Sequence, residues 1–127
     1  MIVADSDALI DYLRNREPLA SAVARHLEEA NLATTAVNVF ELRRGAPPGV
    51  PSSAKVSELL ELLEIFPIEL PDAERAGALA HALDRAGQAI GEADSLIAGV
   101  CLERGLPLLT RNRRHFERVP GLGLQEP

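Results

Sequence analysis

Four oxygen-bearing side chains stand where a hydrolytic site would need them: Asp5, Glu41, Asp94 and Asn112. Asp5 follows the short apolar run Ile2, Val3 and Ala4. It therefore sits at the exit of a buried strand, where open α/β sheets place their ligand chemistry. Asp94 lies in the first turn of a helix, Glu41 lies in the helix after a strand, and Asn112 is two residues beyond another strand. Each has an ordinary alternative on spacing alone. Glu41 also fits a solvent-facing glutamate, and Asp94 fits the electrostatics of a helix N-terminus. Taken together, an all-oxygen set suits Mg²⁺ or Mn²⁺ better than zinc. Such an ion orients and deprotonates water and stabilises charge on a transferring phosphate.

The elements that must position these groups read as an alternation of strands and helices. The stretch Met1–Leu13 gives a strand, with Ser6 expected to cap the following helix. On that helix Leu9, Ile10 and Leu13 make the apolar stripe. Asp11 falls on another face as a helix-surface acid, and Asp7 adds charge near Asp5. Pro18–Ala30 reads as a helix, with His26 beside its stripe in a surface or satisfied, partly buried role. Asn31–Thr35 is a strand, followed by a helix expected to turn Val37, Phe40 and Leu42 inward. Ala46–Ser53 is a breaker-rich loop. Ser53–Glu64 is an amphipathic helix whose broad leucine face suggests burial on two sides or a partner surface.

Ile65–Leu70 is a strand that Pro67 pushes to the sheet edge. Pro71–Ala86 is a helix with Asp72 as N-cap and His81 on its surface. The next helix carries EADSLIAGVCLERG, where Ala98 and Gly99 permit a close approach to the sheet. Leu106–Thr110 is a buried strand, and Val119–Leu124 supplies one more short edge strand. The alternation predicts one α/β domain over residues 1–127, a sandwich around a mainly parallel sheet.

Composition narrows the class. The chain has 127 residues, 46 % of them hydrophobic, with no Trp and a formal net charge of −6. The acidic balance argues against binding nucleic acid through the whole surface, while leaving room for a local basic patch. Arg111, Arg113, Arg114 and Arg118 supply such a run beside the acids. Cys101 is the only cysteine, which rules out an intrachain disulfide and fits a reducing cytoplasm. Its place in an apolar helical pattern marks it as core. No apolar run approaches a membrane span, and no signal peptide is predicted. Walker A, Gly-x-Gly-x-x-Gly, His-Glu-x-x-His and zinc-finger patterns are absent.

Three stretches, VADSDALIDYL, TTAVNVFELRRG and IGEADSLIAGVCLERGLPLLTRNRRHF, resemble PIN-domain ribonucleases, specifically VapC-like toxins of type II toxin–antitoxin systems. The resemblance spans nearly the full chain. It implies a PIN-like three-layer sandwich with four or five short strands. It also implies metal-dependent endonucleolytic cleavage of RNA, a homodimer and a cognate antitoxin. By similarity Asp5, Glu41 and Asp94 hold Mg²⁺ (or Mn²⁺), Ser6 and Thr110 support the site, and Arg111, Arg113 and Arg114 contact RNA phosphates. Asn112 stands where many members carry Asp, which keeps a carbonyl oxygen and removes a charge. The leucine face of Ser53–Glu64 is the expected antitoxin groove. On the acidic set alone a metal-dependent phosphatase or DNA nuclease fits as well, and Asn112 leaves room for a non-catalytic PIN-like binding module.

Overall fold

The computed structural model describes residues 1–127. In chain order the elements are β1 (Ile2–Ala4), α1 (Ser6–Leu13), α2 (Leu19–Glu28), β2 (Leu32–Thr35), α3 (Ala36–Gly45), α4 (Ser52–Glu61), β3 (Glu64–Phe66), α5 (Leu70–Arg85), α6 (Glu92–Arg104), β4 (Leu108–Leu109) and α7 (Arg113–Phe116). The sheet runs β3-β2-β1-β4 and every pairing is parallel. β1 lies between β2 and β4, in register Ile2 with Leu32 and Val3 with Leu108. Alternate side chains of a strand leave on opposite faces. Ile2, Ala4 and Leu109 accordingly enter one core with Leu9, Val23 and Val56. Val3 and Leu108 enter the other with Ile97 and Phe116. With helices on both faces, β1, β2 and β4 are buried throughout, as parallel strands usually are. The chain is thus the expected three-layer α/β sandwich. β3 lies at a sheet edge as expected, but it ends at Phe66, so Pro67 and the remainder of the expected strand Ile65–Leu70 fall outside it. No helix is long and apolar enough to cross a membrane.

Several local expectations are corrected. Val119–Leu124 forms no strand. The chain turns at Pro120–Gly121, and only Leu124 bridges to Leu108. Phe40 points outward, 62 % exposed, with the Arg44 guanidinium 5.5 Å from its ring centre. The inward positions of α3 are Asn38 and Leu42, because this helix begins over the site rather than over the apolar core. Leu62 is 65 % exposed: α4 ends at Glu61, so the leucine face divides between buried Leu59 and Leu63 and outward Leu62. Glu69, not Asp72, caps α5. Asp72 lies three residues on, accepts from Glu69 N at 2.9 Å and is buried against Arg104 at 2.7 Å. His26 is buried, with Nε2 lacking a partner and Nδ1 3.4 Å from the Asn31 amide, so it is not satisfied. Cys101 is fully buried, and burial pushes its thiol up to about 12, which makes it inert core.

Gly99 serves a helix–helix contact rather than the helix–sheet approach its sequence suggests. A Cβ there would lie 2.7 Å from the Asp72 carbonyl oxygen and 2.9 Å from Ala76 Cβ. Both are parts of α5 that cannot swing aside. Gly99→Ala is expected to lower stability by about 2 kcal/mol, because overpacking costs more than alanine's helix propensity returns. Urea denaturation reads this directly, and a stability gain would mean that α5 and α6 part freely.

Candidate active site

Asp5 is the first residue after β1 and itself caps α1, the role the sequence assigns to Ser6. Its Oδ1 accepts from Ser6 N at 2.8 Å and from Asn38 Nδ2 at 3.0 Å. Its Oδ2 accepts from the Thr110 hydroxyl at 2.8 Å. Ser6, released from capping, donates Oγ–H to Glu41 Oε1 at 2.7 Å and accepts from Asn38 Nδ2 at 2.9 Å. One serine thus joins the acid of β1 to the acid of α3.

Asn38 is fully buried. Its Oδ1 accepts from Thr35 Oγ1 at 2.7 Å and from Thr35 N at 3.3 Å. With its carbonyl turned to the cap, its amide hydrogens can only face Asp5 and Ser6. The sequence reading passed over this residue. The signal was present in Thr35-x-x-Asn38 at a strand–helix junction, where the third helical side chain folds back onto the cap.

The opposite wall comes from the end of the sheet and from α6. Thr110 Oγ1 also lies 3.3 Å and 3.4 Å from the two Asp7 oxygens, and Arg111 N donates to Asp7 Oδ1 at 3.0 Å. Asp94, in the first turn of α6, accepts from His115 Nδ1 at 2.8 Å. The acids share one field. Burial first, then the neighbouring Asp7, push the Asp5 carboxyl up to about 7, with Asp94 adding and the Thr110 and Ser6 hydrogen bonds opposing. Burial raises Asp94 as well, with Asp7 adding and His115 acting the other way.

This is a set of oxygen donors whose charges repel, the condition a divalent cation relieves. As they stand, no three acidic or histidine side chains close on a single coordination point. Each is held by its own hydrogen bond.

The family model for the PIN domain matches residues 2–122. The chain belongs to the PIN-domain family. It is 30 % identical to Ribonuclease VapC1 of Methanocaldococcus jannaschii over 129 residues, covering 98 % of this chain and 85 % of that protein. It is 29 % identical to the tRNA(fMet)-specific endonuclease VapC of Salmonella typhimurium over 104 residues, 80 % and 79 % of the two chains. Among solved structures, VapBC2 from Rickettsia felis bound to a promoter DNA fragment superposes with a TM-score of 0.85 at 22 % identity, covering 98 % of each chain.

In this PIN domain Asp5, Asp7 and Asp94 act on one another electrostatically, and Glu41 is tied to Asp5 through Ser6, whose backbone N–H and hydroxyl donate to the two acids. Asn112 reaches the rim through its backbone, donating N–H to Thr110 Oγ1 at 3.0 Å, while its side chain makes no hydrogen bond within the protein. The arginines do not form one basic face. Arg113 is bound to Gln125 O and Glu126, and Arg118 to Ala89 O. Arg114 is exposed without a hydrogen-bond partner. Arg111 pairs with Asp11 at 2.8 Å, so Asp11 is not a surface acid but 4 % exposed. Asp7 and Asp11 are one helical turn apart and share a face. The loop after β4 meets both, one with a backbone N–H and the other with a guanidinium. Sequence reasoning missed that pair because its partners are 100 residues apart. His115 was also missed: within RNRRHF it is distinguished only by standing three residues after Asn112.

Proposed function

We propose that this PIN domain is a metal-dependent endoribonuclease, the toxin of a toxin–antitoxin pair. The observation that carries the reading is the mutual repulsion of buried Asp5 with half-buried Asp7 and Asp94, with no lysine or arginine neutralising Asp5 or Asp94. Asp5, Asp94 and Glu41 would hold Mg²⁺ or Mn²⁺. The bound ion supplies an activated water and offsets charge on the phosphate. Thr110, Ser6 and Asn38 keep the acids oriented. Asn112, whose side chain makes no hydrogen bond within the protein, would position water or substrate. Arg111, fixed by Asp11 yet 57 % exposed at its side chain, and Arg114 would contact RNA phosphate.

A groove of about 400 Å³ lies between α1, α3 and α4, with Ile10, Leu42 and Val56 in its wall. Glu41 stands in it with Arg14 and Lys55. An antitoxin segment seated there would lie against one of the site's own acids, which supports inhibition by direct blockage.

The test is cleavage of defined RNA by antitoxin-free protein, with Mg²⁺ and with EDTA, beside Asp94→Asn. Cleavage is expected to need the metal and to fall on the order of a hundredfold or more in the variant, with folding retained. Metal-independent cleavage would overturn the metal assignment. Hydrolysis of phosphomonoesters or DNA with RNA left intact would favour the other hydrolase classes.

A further inference from the structure

His115 is placed by packing rather than by chance. It sits in α7, a four-residue helix starting just beyond β4. The next residue, Phe116, is fully buried in the core that also contains Ile97 and Val3. Ile97 is three residues beyond Asp94 on α6, so the same core contact that docks α7 sets its register against the start of α6. The His115 backbone N–H donates to Asn112 O at 3.2 Å. Its ring stands edge-on to the Phe116 ring, with centroids 6.3 Å apart. The imidazole is thereby delivered to Asp94, with Nδ1 2.8 Å from Oδ2. An ionised carboxylate only accepts, so Nδ1 carries the hydrogen. Oδ1 of Asp94 receives no hydrogen bond from the protein, so one oxygen is anchored and the other is left available.

We infer that His115 is the positioning residue of Asp94: it holds one carboxylate oxygen so that the other is presented to the divalent cation. This rests on the metal-dependent reading proposed above. The parallel with Asp5 is close. That carboxylate is oriented by Ser6, Asn38 and Thr110, whereas Asp94 has His115 as its sole hydrogen-bond partner through the side chain. Without it the Asp94 carboxylate is free to rotate toward solvent, and the ordering must come out of the binding energy of the ion. Hydrogen bonds to metal-ligating groups typically contribute 10- to 100-fold in affinity.

The experiment measures Mn²⁺ binding by the RNA-free protein, from the electron paramagnetic resonance signal of the free ion, for wild type, His115→Ala and His115→Asn. His115→Ala is expected to bind Mn²⁺ roughly 10- to 100-fold more weakly at an unchanged melting temperature. His115→Asn, whose amide places a donor close to the position of Nδ1, is expected to recover most of that loss. In cleavage assays the Ala variant should need more Mg²⁺ for half-maximal rate and approach the wild-type rate at saturating Mg²⁺. Wild-type binding matched or exceeded by His115→Ala would overturn the positioning role and leave the metal reading intact. Absence of Mn²⁺ binding by the wild type would overturn both.

Discussion

Replacing Asp5 by Asn is expected to raise the stability of the metal-free protein at about pH 8 while abolishing metal-dependent cleavage. The cause is the environment of the carboxyl. Its ordinary value is 3.8 and its value in the fold is about 7, raised by burial and by Asp7 and Asp94. The folded state therefore holds this proton more tightly than the unfolded chain does. As pH climbs from about 4 to about 7, the unfolded chain has lost the proton and the folded one retains it, so stability falls across that window. Above it the full penalty is present, about 4 kcal/mol from the difference between 3.8 and about 7.

Asn keeps the acceptor for Ser6 N and Asn38 Nδ2, and its own amide faces Thr110 Oγ1, which can turn its hydrogen to Asp7. In EDTA at about pH 8 the variant should melt on the order of 10 °C above the wild type. At about pH 4 the two should converge, since both then carry a neutral side chain. Saturating Mg²⁺ should raise the wild type at the higher pH and leave Asp5→Asn where it was. A variant no more stable than the wild type at about pH 8 would show that the buried charge is not the strain described. Such an exchange of stability for a charged site is a common feature of functional centres.

How much of this was legible in the sequence depends on the distance over which each residue finds its partners. Asp5 could be read because its strand and its helix adjoin it, and Asp94 because the helix start is local. The parallel sheet followed from the alternation of elements, while Pro67 lies just past the end of β3 rather than within an edge strand. Glu41 needed the family resemblance, since from α3 alone its direction is ambiguous. The error at Phe40 has the same root. The apolar residues of that helix do not define its inner face: its first turn packs on a polar site, so Asn38 is buried and Phe40 is not. Local rules put Asp11 on the surface and Asp72 at a cap, yet each is buried and pairs with an arginine distant in sequence, Arg111 and Arg104. Gly99 was recognised as a close approach, but the element that approaches is set by tertiary packing.

Asn38 shows what those distant contacts demand chemically. It must accept on one side from Thr35 and donate on the other to Asp5 and Ser6, and only an amide does both at this length. Asn38→Asp keeps the shape and removes the donor. A carboxylate oxygen would then face Asp5 Oδ1 across the 3.0 Å that a hydrogen now bridges. Two buried acceptors without a proton between them repel, and an uncompensated buried charge costs roughly 3–5 kcal/mol. Asn38→Ala leaves a small cavity and ends the carbonyl's capping bonds, at about 2–3 kcal/mol. The Asp variant is therefore expected to be the less stable of the two at about pH 8. At about pH 5 one proton shared between the carboxyls restores the hydrogen bond, and the order should reverse. Urea denaturation of both variants at the two pH values tests this. An Asp variant more stable than the Ala variant at both pH values would mean that the amide's role is packing rather than donation. Because Ser6 links this network to Glu41, both variants should also lose cleavage activity, the loss reaching the second acid through the same serine that joins it to the first.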